Sequence, residues 1–257
     1  MTHETALRWV RARNASPMTL DGTRTYLVGR DRIVVVDPGP ADPQHIAEIE
    51  RAAAGARVEA VLVTHGHPDH AAGAVALASR LDAPRRAYDD GSLRDDDAFD
   101  TDAGTLIAVH TPGHTRDHVC FHWRAADAVF VGDLLMGGQT TALVAPPEGD
   151  LGEYLASLER VRSLDARTLH PAHGPSFDDA CAAIDAYLRH RADRERQVLA
   201  ALRRGAADED AIVAAVYGAA LPDELRDAAR GAVEAYLAHL EAGRRASRGD
   251  HGWHVHD

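Results

Sequence analysis

Three histidines and one aspartate lie close together in the segment THGHPDH, residues 64–70. The four side chains are His65, His67, Asp69 and His70. Imidazole nitrogens and carboxylate oxygens at such short spacing suit a divalent transition metal. The same letters would also describe a helix start at which Asp69 only caps the first turn. The segment alone therefore indicates a metal site without establishing one.

Three further potential ligands follow other predicted strands. They are His114 in HTPGHT, Asp133 in FVGDLL and His173 in LHPAHGP. The segment 64–70 itself follows the apolar run 61–63. Because ligands bind at the carboxyl ends of strands in α/β sheets, we expect all of these side chains to meet on one face. Seven side chains are enough for two metal ions.

The elements that must position these side chains are strands in the first two thirds of the chain and helices in the last third. β-Branched and apolar runs that end at Gly, Pro or Asp predict strands at 7–10, 25–28, 32–36, 60–64, 105–109, 119–123, 128–131 and 166–169. Apolar spacing of three and four predicts helices at 45–54, 70–81, 151–164, 178–203, 208–217 and 222–242. The acidic stretch 89–102 is predicted to be a solvated turn, and residues 243–257 could close as a hairpin. Loose alternation of strand and helix favours a mixed α/β fold.

Composition narrows the classes of partner. The formal net charge is −12, which disfavours nucleic acid as a partner without excluding it. All 28 basic residues are arginine, so no lysine can form a Schiff base. The two cysteines are far apart, and no apolar run or leader-like start predicts a membrane span or secretion. We expect a cytoplasmic protein without a membrane partner, and the sequence indicates no oligomeric state.

Taken together, THGHPDH, HTPGHT, FVGD and PAHG resemble the metallo-β-lactamase superfamily. The resemblance spans roughly residues 19–175 and implies a four-layer αββα sandwich. It also implies a distribution of the ligands over two metals. One metal would be held by His65, His67 and His114, the second by Asp69, His70 and His173, and Asp133 would bridge them.

The runs GTRTYLVG, DPGP, YLASL, PAHGP and HRADRERQ resemble, more narrowly, the β-lactamase-like-protein-2 subgroup of that superfamily. This resemblance implies a small, helical, winged-helix-like C-terminal domain. We place the catalytic domain at residues 1–188 and the C-terminal domain at residues 189–257. Some members of the subgroup are endoribonucleases on single-stranded RNA.

The predicted chemistry is hydrolysis by two divalent ions that share a water, lower its pKa and present hydroxide near neutral pH. Asp69 is the predicted catalytic residue, since it would both ligate a metal and orient the nucleophile. Zinc is favoured by the histidine-rich ligands, with iron or manganese as alternatives. The favoured substrate is a small ester, thioester or lactone, ahead of a β-lactam. The alternatives are a phosphodiesterase acting on single-stranded RNA and a metal-binding regulator without turnover.

Four other side chains are candidates for hydrogen bonding to the ligands or for contact with the substrate. They are His118, Thr140, Thr141 and Tyr154. The alternative for His118 is an ordinary hydrogen-bonded histidine, and for Tyr154 it is plain helix packing. No GxSxG motif or cysteine signature competes with the metal site for the role of nucleophile.

Overall fold

Two five-stranded β-sheets lie face to face at the centre of the protein. The computed structural model describes residues 6–139, 141–218 and 221–256. The first sheet consists of β1 (Leu7–Arg11), β2 (Arg24–Val28), β3 (Arg32–Val36), β4 (Arg57–Leu62) and β5 (Arg85–Arg86), in that spatial order. The pairs β1–β2 and β2–β3 are antiparallel, whereas β3–β4 and β4–β5 are parallel.

The second sheet is built from the middle of the chain. Its strands are β6 (Ala98–Thr101), β7 (Gly104–His110), β8 (Val119–Trp123), β9 (Ala128–Gly132) and β10 (Thr168–Pro171). Their spatial order is β10-β9-β8-β7-β6, and only the β9–β10 pair is parallel. The predicted hairpin between β8 and β9 is present, and Asp127 closes it in a left-handed conformation with φ 55°.

Helices cover the outer faces of both sheets. They are α1 (Pro43–Ala53), α2 (Pro68–Ala71) and α3 (Ala74–Arg80) beside the first sheet, with α4 (Leu151–Arg162) and α5 (Ala180–Arg203) beside the second. Four helices begin after an aspartate that accepts a hydrogen bond from a first-turn amide, as capping residues do. These aspartates are Asp42, Asp150, Asp179 and Asp208, the last before the C-terminal helix α6 (Glu209–Tyr217).

The central strands are apolar on both faces because each face is buried. In β3, Ile33 and Val35 pack against α1 and α3, whereas Val34 and Val36 pack between the two sheets. In β9 the same alternation puts Val131 against α4 and Phe130 between the sheets. Side chains of a strand alternate between faces, so a continuous apolar run fits a strand covered on both sides. The four layers are therefore helices, sheet, sheet and helices, which confirms the predicted αββα sandwich.

The last third of the chain is helical and ends in a hairpin, as predicted. After α6 come a 3₁₀ turn (Asp223–Leu225), α7 (Arg226–Ala242), β11 (Ala246–Gly249) and β12 (Gly252–Val255). Helix α5 runs without a break across the proposed domain boundary at residue 188 and contacts α4, α6 and α7. The boundary itself stays a prediction. Among the described residues, no helix combines the length and apolarity required to cross a bilayer.

Several local predictions differ from the structure. The strand predicted at 60–64 lies at Arg57–Leu62, and the helix predicted at 222–242 begins with the separate 3₁₀ turn Asp223–Leu225. The single helix predicted at 70–81 is divided into α2 and α3 at Gly73, whose amide bonds to Gly39 O at 2.9 Å. A Cβ atom at Gly73 would lie 3.0–3.1 Å from three carbonyl oxygens of the 38–40 turn, so this close approach interrupts the helix. The strand predicted at 166–169 is displaced to β10, where it pairs with β9. The acidic stretch 89–102 contains the edge strand β6 in addition to turns.

Candidate metal centre

All seven predicted ligands leave the carboxyl ends of strands at one edge of the two sheets. His65 and His67 lie in the loop after β4, and Asp69 and His70 lie in α2. The other three follow β7, β9 and β10 and are His114, Asp133 and His173. Their donor atoms form two groups, each within 4.8 Å: His65, His67, His114 and Asp133, and then Asp69, His70 and His173.

The first group surrounds Nδ1 of His67. This atom lies 2.8 Å from His65 Nε2 and 3.1 Å from His114 Nε2. His114 Nε2 is in turn 3.7 Å from Asp133 Oδ2. Nitrogen ligands of one tetrahedral zinc ion, each about 2.0–2.1 Å from the metal, lie roughly 3.3 Å apart. The spacing of these nitrogen atoms therefore fits a shared ion.

The second group surrounds Nε2 of His173. It lies 3.2 Å from Asp69 Oδ2 and 3.3 Å from Asp133 Oδ1. His70 Nε2 lies 3.4 Å from Asp69 Oδ2 and 3.5 Å from Asp133 Oδ1. Asp133 thus directs one carboxylate oxygen towards each group.

Three buried side-chain atoms of this centre that could bind a metal have no hydrogen-bond partner among the described residues. They are His70 Nε2, His173 Nε2 and Asp133 Oδ1. A buried polar atom without a partner costs free energy, so such atoms are rare unless a ligand satisfies them. All three are nitrogen or carboxylate oxygen atoms that bind zinc, iron or manganese. The residues present therefore fit a metal.

The opposite ring nitrogens of the histidines are held by the surrounding protein. Nδ1 of His114 donates to Leu143 O at 2.7 Å, and Nδ1 of His70 lies 2.9 Å from Asp37 Oδ2. Nδ1 of His65 lies 3.0 Å from the hydroxyl of Thr64, which donates to Asp37 Oδ2. A histidine that donates through Nδ1 carries its proton on that atom, so its Nε2 has a free lone pair that can bind a metal.

Burial and the neighbouring charges set the protonation of the centre. Burial lowers the pKa of both His65 and His114, which keeps their imidazoles neutral. Burial would raise the pKa of Asp69, but His173 and His70 outweigh it and hold the carboxylate ionised. At His70 burial acts to lower the pKa, yet Asp133 and Asp37 raise it well above the ordinary value. The potential at this ring is therefore negative, which also favours a bound cation.

The four additional candidates occupy different positions. His118 is buried behind the centre, where Nδ1 contacts Thr111 Oγ1 at 2.9 Å and Nε2 accepts from the amide of Asp133 at 3.2 Å. Tyr154 is also buried, and its hydroxyl donates to Leu134 O at 2.7 Å. Thr141 is exposed and donates to Ala142 O at 3.3 Å. Thr140 lies outside the described residues.

Two residues next to the ligands were not singled out from the sequence. Asp37 directly follows β3 in the DPGP turn, so its position at a strand end is the same sequence signal that the predicted ligands carry. Glu148 contacts His67 Nε2 at 3.0 Å from a long loop, and no local pattern indicates this contact. A cavity of about 460 Å³ opens beside His67 and Glu148 and reaches Arg116.

Two family models match the chain. The model of the metallo-beta-lactamase superfamily matches residues 18–92 and 83–173. The model of the beta-lactamase associated winged helix domain matches residues 209–253. The second match agrees with the helices and terminal hairpin described above and confirms the predicted winged-helix character of the tail.

The chain is similar to curated proteins and to solved structures. A beta-lactamase-like protein 2 homolog of Caenorhabditis elegans is 33% identical over 77% of this chain and 71% of its own length. An atrochrysone carboxyl ACP thioesterase of Pseudocercospora fijiensis is 35% identical over 84% of this chain and 68% of its own length. The structure of a beta-lactamase domain protein from Burkholderia ambifaria superimposes with a TM-score of 0.83 at 22% identity, covering 98% and 92% of the two chains. This last likeness concerns the fold.

Proposed function

Because this chain belongs to the metallo-β-lactamase superfamily and carries its associated winged-helix domain, we propose that it is a dinuclear metal-dependent hydrolase of acyl thioesters. The observation that carries the proposal is the convergence of seven donor side chains, three of which have buried and unpartnered donor atoms. The thioester is chosen from the ester, thioester and lactone class because a 35% identical relative is named a thioesterase.

The proposed ligands divide as the two groups of donor atoms divide. His65, His67 and His114 would hold one ion, Asp69, His70 and His173 the second, and Asp133 both. Support for the shared role comes from the two oxygens of Asp133, each of which faces a different group. Zinc is the proposed metal because nitrogen ligands dominate, and iron and manganese are the alternatives. Two such ions, when bound, supply a nucleophilic water at neutral pH and polarise the substrate carbonyl.

Asp69 is proposed to orient the attacking water. Its side chain is 28% exposed, against 11% for Asp133, so Asp69 is the carboxylate of the centre that solvent and substrate can reach. The water oxygen bonds to the thioester carbon, the carbon–sulfur bond breaks, and a carboxylic acid and a thiol are released. A thiol has a pKa of about 8.5, so its thiolate leaves readily without a dedicated proton donor.

A covalent route through a cysteine is not supported. Cys120 is fully buried, and burial raises the pKa of its thiol to about 12. Reactive cysteines instead lie in partly exposed places where positive charge stabilises the thiolate. Cys181 is the other cysteine, and it lies on the exposed face of α5, in neither group of donor atoms. Direct attack by water is therefore the proposed route.

The test is a substrate panel run on the metal-loaded protein and on the Asp69→Asn variant. The panel contains a decanoyl thioester, an aryl ester, a lactone, a β-lactam and a single-stranded RNA oligonucleotide. We expect the thioester to be hydrolysed fastest and Asp69→Asn to lower the rate by at least about 100-fold, as loss of a group acting on the nucleophile does. Asp250→Asn, in the terminal hairpin, is the matched control and should retain the full rate.

The other outcomes identify the alternatives. RNA cleavage without thioester hydrolysis would overturn the proposal in favour of a phosphodiesterase. Full metal content with no turnover of any substrate would overturn it in favour of a metal-binding regulator. Equal thioester hydrolysis by the Asp69→Asn variant would remove Asp69 from the mechanism.

A further inference from the structure

A second cavity, of about 430 Å³, lies between the catalytic core and the winged-helix helices. Its volume falls in the range of small-molecule sites, about 300–1,000 Å³. One wall contains Met136, Gln139 and residues 141–143, a second is α5, and a third comes from the C-terminal region, including Tyr217 and Tyr236. Most of the lining is aliphatic or aromatic. The cavity is therefore shaped for an apolar ligand.

The charged side chains that line this cavity are cationic. Arg191 and Arg194 line it, and no aspartate or glutamate of the described part of the chain does, although the sequence has 40 acidic residues. Arg194 is already engaged, since it bonds to Gln197 and lies over the ring of Tyr217. The described partners of Arg191 are also uncharged, and Arg191 differs from the partly exposed Arg194 because only 4% of its surface is exposed.

The partners of Arg191 do not neutralise it. Its guanidinium donates to Ala142 O and lies 4.7 Å above the ring of Tyr154. Its Nε atom has no acceptor among the described residues, and neither does the neighbouring hydroxyl of Tyr236, which is 2% exposed. Arginine stays charged in proteins, and a buried charge without a counter-ion is costly. An anion in the cavity would remove that cost.

The cavity and the metal centre share a wall. Leu143 lines the cavity, and its carbonyl accepts the hydrogen bond from His114 Nδ1. Ala142, the preceding residue, accepts from Arg191. Two successive backbone carbonyls therefore connect a predicted metal ligand to the buried arginine.

We propose that this cavity binds the acyl part of the substrate and that Arg191, with Tyr236, binds a carboxylate carried by that apolar group. The identification of the ligand as substrate rests on the proposed thioesterase function, whereas the binding of an apolar carboxylate does not. Burial raises the pKa of the Tyr236 hydroxyl, which therefore stays protonated and can donate to the anion. The winged-helix region then forms one wall of the binding site for a small molecule.

Calorimetric titration of the full-length, metal-loaded protein with decanoate and with decanol tests the proposal. The two probes share the chain and differ in charge. Hydrogen bonds to a charged group are worth enough to give at least about tenfold tighter binding of decanoate. Arg191→Met should abolish this preference and leave decanol binding unchanged, while Arg189→Met, on the exposed face of the same helix, should preserve it.

Two further variants keep the test decisive if Arg191→Met folds poorly. Tyr236→Phe should weaken decanoate alone, by about three- to tenfold, because it removes one donor. Ala232→Trp, which fills the cavity from α7, should weaken both probes. A decanoate affinity no tighter than that of decanol, or a preference that persists in Arg191→Met and Tyr236→Phe, would overturn the proposal.

Removal of the metal ions with a chelator tests whether decanoate binds in this cavity or at the metal centre. Decanoate should bind equally well before and after metal removal, and equally well to Asp69→Asn. Loss of binding on chelation would place the carboxylate on the metals and overturn the assignment to Arg191. If decanoate binds as expected while no thioester is hydrolysed, the cavity is a binding site for an apolar carboxylate and the proposed thioesterase function is wrong.

Discussion

The buried carboxylate of Asp37 accepts a hydrogen bond from Nδ1 of His70 at 2.9 Å. It also accepts from the amide and the hydroxyl of Thr64, and that hydroxyl lies 3.0 Å from Nδ1 of His65. His65 and His70 belong to different groups of donor atoms. One carboxylate therefore orients a histidine of each group, one directly and the other through Thr64.

Replacement of Asp37 by asparagine should weaken metal binding. The amide keeps the shape of the side chain but removes the negative charge next to His70, and partners of this kind are worth about 10–100-fold in metal affinity. The ion at Asp69, His70 and His173 should be affected most. Competition with a zinc chelator measures the two affinities. Asp31→Asn, on an exposed turn, is the control, and an unchanged affinity in Asp37→Asn would show that Asp37 does not support the centre.

The His67→Ala and His70→Ala variants should each lose a different one of the two bound metal ions. His67 belongs to the group of His65 and His114, whereas His70 belongs to the group of Asp69 and His173. Stepwise zinc titration followed by native mass spectrometry should show that each variant retains one tight ion and loses the other. Loss of the same ion from both variants would contradict the division of the ligands into two groups.

Gly174→Ala should destabilise the fold through a clash next to His173, a predicted metal ligand. Gly174 has φ +77°, and a Cβ atom there would lie 2.2 Å from Gly137 O. We expect a loss of about 2–4 kcal/mol in the free energy of unfolding, measured by urea denaturation of the metal-free protein. Gly55 has φ +85° with no atom within 4 Å of the added Cβ, so Gly55→Ala should cost only about 1 kcal/mol. Equal losses would contradict the close packing at Gly174.

Stability should fall on acidification partly because of His170. Burial lowers the pKa of His170 to about 4, whereas the unfolded chain has a value of about 6.5. The native state therefore disfavours the protonated ring. The contribution of His170 to the free energy of unfolding is complete above pH 6.5 and is lost as the pH falls towards 4. At pH 5 the loss is roughly 2 kcal/mol relative to pH 7.5. In urea denaturation of the metal-free protein, His170→Gln should lose correspondingly less free energy of unfolding between pH 7.5 and pH 5. The same pH dependence in the variant and in the unmodified protein would contradict this role of His170.

The positions of the candidate metal-binding side chains could largely be predicted from the sequence because these side chains follow strands. Each ligand lies within a few residues of a strand end or on the short helix α2, so the local pattern already predicts its position. Asp133 and His173 are adjacent in space because β9 and β10 are adjacent parallel strands. The two-residue spacing of His65 and His67 lets one loop supply two ligands to the same group.

The second cavity could not be predicted in this way. Arg191 and Tyr236 are 45 residues apart in the chain and meet only because α5 and α7 pack together over the segment at Ala142. An arginine in a charged helix is ordinarily on the solvated face, and nothing in the local pattern distinguishes Arg191 from the exposed Arg189. Gly73 shows the same limit for the fold, since the helix break depends on a contact with the distant 38–40 turn.

The central claim, a dinuclear metal centre, is tested most directly by elemental analysis of the freshly purified protein combined with its concentration. We predict two metal ions per chain, with zinc predominant, and about one per chain in His70→Ala. Fewer than one ion per chain in the unmodified protein, with no uptake on addition of zinc, iron or manganese, would contradict the claim.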